Sequence, residues 1–212
     1  MDIFFQVAIL IFSVVIHEVS HGLAAFWLGD PTAKYAGRLT LNPIKHLDPW
    51  GSFIIPFFLA ITNAGIIFGW AKPVPYNPFN LRNQKYGPAL VGLAGPLSNA
   101  LLALLAGAVL KTLLILGVPD DLIVYNILSL VILINILLLV FNLLPIPPLD
   151  GSKLLFAFLP ISEHTKIMLE RYGIVFLFAF LYIFSDFLYL ILAYVVRLFS
   201  EFIVGVNLMN FL

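Results

Sequence analysis

Five long runs almost free of Asp, Glu, Lys and Arg dominate this chain: residues 3–28, 51–71, 86–110, 122–149 and 172–196. A helix needs about 20 mostly apolar residues to cross a bilayer, and every run reaches that length. Soluble domains carry about 25% charged residues. This chain of 212 residues carries 10%, with 62% hydrophobic residues and a mean hydropathy of +1.06. It cannot cover its surface with polar groups in water. It reads as an all-α polytopic membrane protein whose partner is the lipid bilayer, one membrane-embedded domain over 1–212. The apolar stretch 198–212 is short enough for an interfacial helix. Eleven basic and eleven acidic residues cancel without forming a basic stripe, which argues against nucleic acid as a partner.

The basic residues decide between two topologies. If all five runs cross, they divide six to five and carry no orientation signal. If 51–71 enters and leaves on one face, Lys34, Arg38, Lys45, Lys72, Arg82, Lys85, Lys153, Lys166 and Arg171 share a side, opposite Lys111 and Arg197 alone. The positive-inside rule favours the second arrangement. Pro56, Asn63 and Gly65 would help to break a re-entrant segment, which is tolerated at membrane depth when buried in protein. The expectation is four full crossings plus a re-entrant segment near 51–71 (the alternative being five crossings), with loops 29–87 and 150–171 cytoplasmic. Residues 29–50 are mixed and turn-rich, and a short β element is expected near 35–42, over Tyr35 to Leu41. Such a strand would offer an edge for pairing with an extended peptide.

The first run contains His17-Glu18-Val19-Ser20-His21. Four residues advance a helix by about one turn, so both imidazoles share a face and can present two nitrogens to one Zn²⁺. Glu18 sits beside them as a possible general base. Alone, HExxH is a weak pattern. Inside a membrane helix, three ionisable residues are costly unless they pair or bind something. A polar packing cluster between helices is the bland reading.

Two ligands do not complete a catalytic zinc site, which usually has three protein ligands and an open position for water. The chain has no cysteine, so the third must be His, Asp or Glu. Asp150 is the best placed. It ends the fourth run in Asn142-Leu143-Leu144-Pro145-Ile146-Pro147-Pro148-Leu149-Asp150-Gly151. The prolines break the helix and let the backbone bend inward. An ordinary Asp-Gly turn is the competing reading.

With these residues in view, the chain resembles the site-2 proteases, intramembrane zinc metalloproteases with HExxH in one membrane helix and an Asn/Pro-rich Asp-Gly motif in another. The matches are His17, Glu18, His21, Asn142, Pro145, Asp150 and Gly151. Gly95-Pro96-Leu97-Ser98-Asn99 resembles the family's Gly-Pro-x-x-Asn. The stretches Asn42–Pro49 and Gly69–Pro75 resemble its compact bacterial and archaeal branch, without PDZ or CBS domain. The resemblance implies a multi-pass protein of a prokaryotic cell membrane that cuts membrane-spanning protein or peptide substrates. It implies Zn²⁺ on His17, His21 and Asp150, with Glu18 as the base. It also implies that the HExxH and Asp-Gly helices run the same way, in agreement with the charge count. For Asn142 it supports a catalytic or substrate-contact role, against which stands a helix-breaking hydrogen-bond role. Competing functions are a zinc-dependent membrane hydrolase of a non-peptide substrate and a metal transporter.

Other residues are set aside. His46 and Asp48 read as a structural turn rather than a second metal site. His164 reads as solvent-exposed. Asp186, inside the fifth run, could gate water or pair with Lys111 or Arg197. Gly95, Pro96 and Asn99 read as setting helix packing.

Overall fold

The computed structural model describes residues 3–54, 58, 61, 71–119 and 122–205. Three of the long apolar runs form the helices α1 (Ile3–Trp27), α3 (Gly87–Ile115) and α4 (Ile123–Asn142). A single turn, α2 (Thr32–Tyr35), follows Pro31. After α4 come α5 (Gly151–Phe158), α6 (Glu163–Ile183) and α7 (Ser185–Phe199), the last continued by a π-helical turn, Ser200–Val204. Among the described residues, four segments are long and apolar enough to cross a membrane: Phe5–Trp27, Gly87–Ile115, Ile123–Asn142 and Ser185–Val204. The protein is a multi-pass membrane protein.

Helix α3 lies at the centre, packed against α1, α4 and α5. Ala103, Ala106 and Leu110 of α3 meet Tyr125, Ile132 and Ile136 of α4 in the main apolar core, with Val196 and Phe199 of α7 against it. The small side chains of α3 let its neighbours approach closely, as membrane helix contacts require.

The directions of the helices follow from their contacts. Ser13 of α1 meets Asn135 of α4, and His17, one turn later, meets Asp150, just beyond the end of α4. Helices α1 and α4 therefore run the same way, as expected. Helix α3 runs oppositely, with Val91 beside His21 and Asn99 beside His17. The Arg82 N–H donates to the Leu28 carbonyl at 2.9 Å, so α1 ends and α3 begins on the same side. The Lys72 N–H donates to the His46 carbonyl at 2.8 Å, which brings together the two flanks of the 51–71 run. Residues 55–57, 59–60 and 62–70 of that run lie outside the described residues, and so does its expected re-entrant path. The expected interfacial helix over 198–212 lies partly outside them too, since 206–212 are not described.

Two expectations need correction. No strand forms near 35–42, and none occurs among the described residues. Tyr35 closes α2, Gly37 takes a left-handed φ of 62°, and the Arg38 N–H bonds back to Ala33. The Thr40 carbonyl is taken by the His46 ring at 2.8 Å, so a local turn satisfies backbone groups that a sheet would have needed. The edge for pairing with a peptide disappears with the strand.

The run 172–196 is not one helix. The chain breaks at Phe184 (φ −113°, ψ 21°), and the crossing segment shifts to Ser185–Val204. Asp186 thus stands in the first turn of α7, where a carboxylate is favoured by the helix dipole. That placement removes the need for a buried partner.

Candidate metal centre

His17 and His21 project from the same face of α1 and are both buried. Their Nε2 atoms lie 3.0 Å apart, with the rings nearly perpendicular at 89°. Asp150 reaches them from the far side of the Pro145–Pro148 turn, which folds the chain back after α4. Asp150 Oδ2 stands 3.1 Å from His17 Nε2 and 3.0 Å from His21 Nε2. The following glycine is required by that turn. A Cβ on Gly151 would stand 2.5 Å from the Leu144 carbonyl oxygen.

The outer face of each imidazole fixes its inner face. His21 Nδ1 lies 2.6 Å from the Val91 carbonyl oxygen. A carbonyl only accepts, so Nδ1 carries the hydrogen and Nε2 is left with its lone pair. His17 Nδ1 lies 2.6 Å from Asn99 Oδ1, an amide oxygen that accepts its hydrogen. With both imidazoles neutral, three electron-pair donors converge: two imidazole nitrogens and a carboxylate oxygen. Such a cluster repels itself unless a cation sits at its centre.

The space is present as well. A Cβ on Gly95 of α3 would stand 2.5 Å from both Nε2 atoms, so the missing side chain leaves a hollow beside the ligands. Zinc–nitrogen bonds of about 2.0–2.1 Å in tetrahedral geometry place neighbouring ligand atoms roughly 3.4 Å apart. The observed separations are a few tenths of an ångström shorter. Among the described residues, His17, His21 and Asp150 form the group of side chains that could hold a metal ion, and their donor atoms fit zinc.

Glu18, half-buried, points into the same space. A cavity of about 160 Å³ is lined by His17, Glu18, His21, Pro73, Val74, Tyr76, Val91, Asn142, Pro148, Asp150 and Lys153. That is room for several waters, but less than the roughly 300–1,000 Å³ of a typical ligand pocket. One wall is the extended strap Lys72–Tyr76. The Val74 N–H donates to Glu18 Oε2 at 2.8 Å, and the Arg38 guanidinium donates to the Lys72 carbonyl at 2.6 Å.

Lys153, one turn into α5, donates to Asp150 Oδ1 at 2.8 Å and lies 5.7 Å from the centre of the Tyr76 ring. Burial alone would push its ammonium down, but the Asp150 carboxylate beside it holds it above its ordinary value.

All five residues singled out in the sequence, His17, Glu18, His21, Asn142 and Asp150, border this one cavity. Asn142 also donates to the Leu138 carbonyl of its own helix at 3.0 Å. His46 is buried and bonded to Thr40, and Asp48 accepts from the Trp50 and Gly51 N–H groups, a structural turn as expected. His164 is exposed. Asn99, set aside as a packing residue, instead holds His17. Lys153, Asn135 and Ser13 were not singled out. A lysine three residues after the aspartate, and an asparagine inside an apolar run, were the available signals.

The model of peptidase family M50 matches residues 117–183, which include Asn142 and Asp150. "Putative zinc metalloprotease YwhC" of Bacillus subtilis (strain 168) is 40% identical over 183 residues, covering 83% of this chain and 80% of that protein. "Putative zinc metalloprotease Rip2" of Mycobacterium tuberculosis (strain ATCC 25618 / H37Rv) is 31% identical over 166 residues, or 78% of this chain. The corresponding Rip2 of Mycolicibacterium smegmatis is 32% identical over 139 residues. The matched regions span 61% and 51% of the two Rip2 chains. No solved structure matches this one. The chain belongs to peptidase family M50, the site-2 protease family.

Proposed function

We propose that the protein is an intramembrane zinc metalloprotease that hydrolyses peptide bonds of membrane-spanning substrates. The observation that carries this reading is the convergence of His17 Nε2, His21 Nε2 and Asp150 Oδ2, with the Glu18 carboxylate bordering the same cavity. His17, His21 and Asp150 hold the metal. Zinc bound there supplies a Lewis acid and lowers the pKa of a bound water toward about 7.

Glu18 accepts the proton of the attacking water at its carboxylate. As the water oxygen bonds to the carbonyl carbon and the C–N bond breaks, Glu18 returns that proton to the leaving nitrogen. The Val74 N–H holds one oxygen of Glu18, which fixes the direction in which the carboxylate faces. Asn142, at the rim, contacts the substrate backbone or its developing oxyanion. A substrate helix must unwind locally to expose a peptide bond, and the Lys72–Tyr76 strap must shift to widen the cavity around it. The basic residues of loops 29–87 and 150–171 support a cavity mouth on the cytoplasmic side.

The test is zinc content and cleavage of a model single-pass substrate in detergent, comparing wild type with Glu18→Gln. Zinc in both proteins with cleavage by wild type alone supports the reading. Cleavage that persists in Glu18→Gln, with contaminating protease excluded, overturns it. Glu18→Gln that carries metal across vesicles as well as wild type does would indicate a carrier.

A further inference from the structure

We infer that Asn135, buried in α4 and remote from the cavity, is a positioning residue for the metal centre, because it fixes which ring nitrogen of His17 is bare. The inference rests on the proposed metal site and adds the device that orients one of its ligands.

The relay starts at a backbone atom. Asn135 Nδ2 lies 2.8 Å from the Val131 carbonyl oxygen, which can only accept. This fixes the amide, so Asn135 Oδ1 faces Asn99. Asn99 must then present its own Nδ2, at 2.8 Å, which turns its Oδ1 toward His17 at 2.6 Å. His17 Nδ1 consequently carries hydrogen, and Nε2 faces His21 and Asp150 with a lone pair. The second Asn135 hydrogen goes to Ser13 Oγ at 3.0 Å. A hydroxyl can donate or accept, so Ser13 carries no orientation information.

Asn99, Asn135 and Ser13 are all buried among apolar helices, where no bulk water can substitute for a lost partner. If Asn99 turned over, its NH₂ would face His17 Nδ1. The ring hydrogen would then sit on Nε2, between His21 and Asp150, and would obstruct a cation.

The experiment uses the full chain in detergent micelles with ¹⁵N-labelled histidine. The metal-free protein is observed by NMR, and zinc affinity is measured by chelator competition. In wild type, His17 should carry its hydrogen on Nδ1. Asn135→Leu keeps the size and suits a membrane helix. It should give a mixture of His17 tautomers and weaken zinc binding by roughly 10- to 100-fold, the range seen when outer partners of metal ligands are lost. Ser13→Ala should match wild type in both measurements. A wild-type His17 with hydrogen on Nε2 overturns the inference, and this holds whether or not Asn135→Leu folds. So does Asn135→Leu with wild-type tautomer and affinity, or Ser13→Ala as damaging as Asn135→Leu, which would indicate mere packing. If wild type shows the Nδ1 tautomer yet binds no zinc, the relay stands and the metal reading fails.

Discussion

The two oxygens of Asp150 are divided between two partners: Oδ1 accepts from Lys153 Nζ at 2.8 Å, and Oδ2 faces His17 and His21. A carboxylate whose second oxygen is engaged in this way can offer a metal only one oxygen. Lys153→Met keeps much of the apolar stem and removes the charge. It should weaken zinc binding by about 10-fold and let the carboxylate become bidentate. The visible spectrum of the Co²⁺-substituted protein should shift toward higher coordination number, while helix content by circular dichroism stays unchanged.

Gly95 offers a test in which local and site effects have opposite signs. Alanine favours a helix over glycine by about 1 kcal/mol, so Gly95→Ala should leave α3 at least as helical. Its Cβ, however, would stand 2.5 Å from both Nε2 atoms. Loss of zinc in a folded protein is the expected result, read from metal stoichiometry alongside circular dichroism.

Asp30 joins the end of α1 to the turn before α3. Its carboxylate accepts from the Asn77 N–H at 2.6 Å, from Asn80 Nδ2 at 2.8 Å and from Thr32. Burial pushes its pKa up, but these hydrogen bonds outweigh it and hold the group below its ordinary value. The stabilisation is therefore complete above the unfolded pKa of about 3.9 and is lost as pH falls through the depressed folded value. Asp30→Asn should cost about 1–3 kcal/mol at neutral pH. The gap in melting temperature between the two proteins should close as pH is lowered from about 5 toward 3.

Val74→Pro removes a single donor, the N–H that Glu18 Oε2 accepts, within a strap already rich in proline. Zinc content should be retained and kcat should fall, because Glu18 loses the contact that orients it. Equal kcat in the variant would show that the strap only lines the cavity.

The site was legible where its logic is local. The i, i+4 spacing of His17 and His21 depends only on helical pitch. The proline-rich approach to Asp150 announces a chain reversal by composition alone. The Asn99–Asn135–Ser13 contacts were not legible, because they depend on how three helices are rotated about their axes. Tyr35–Leu41 has a strand-like sequence, but a strand also needs a neighbour, and Arg38 and Thr40 find their hydrogen bonds elsewhere. The break at Phe184 escaped because neither proline nor glycine marks it. Hydropathy runs smoothly across it, and only Ser185-Asp186, a favourable helix start, hinted at it.

The polar relay ends on the Val131 carbonyl, which belongs to the main chain. No side-chain replacement at position 131 can delete that oxygen, so this residue is free to drift among apolar types. Positions 99 and 135 form a two-part lock that a single change breaks. A lineage could alter the pair only through a simultaneous exchange that preserves which end of each amide faces the next.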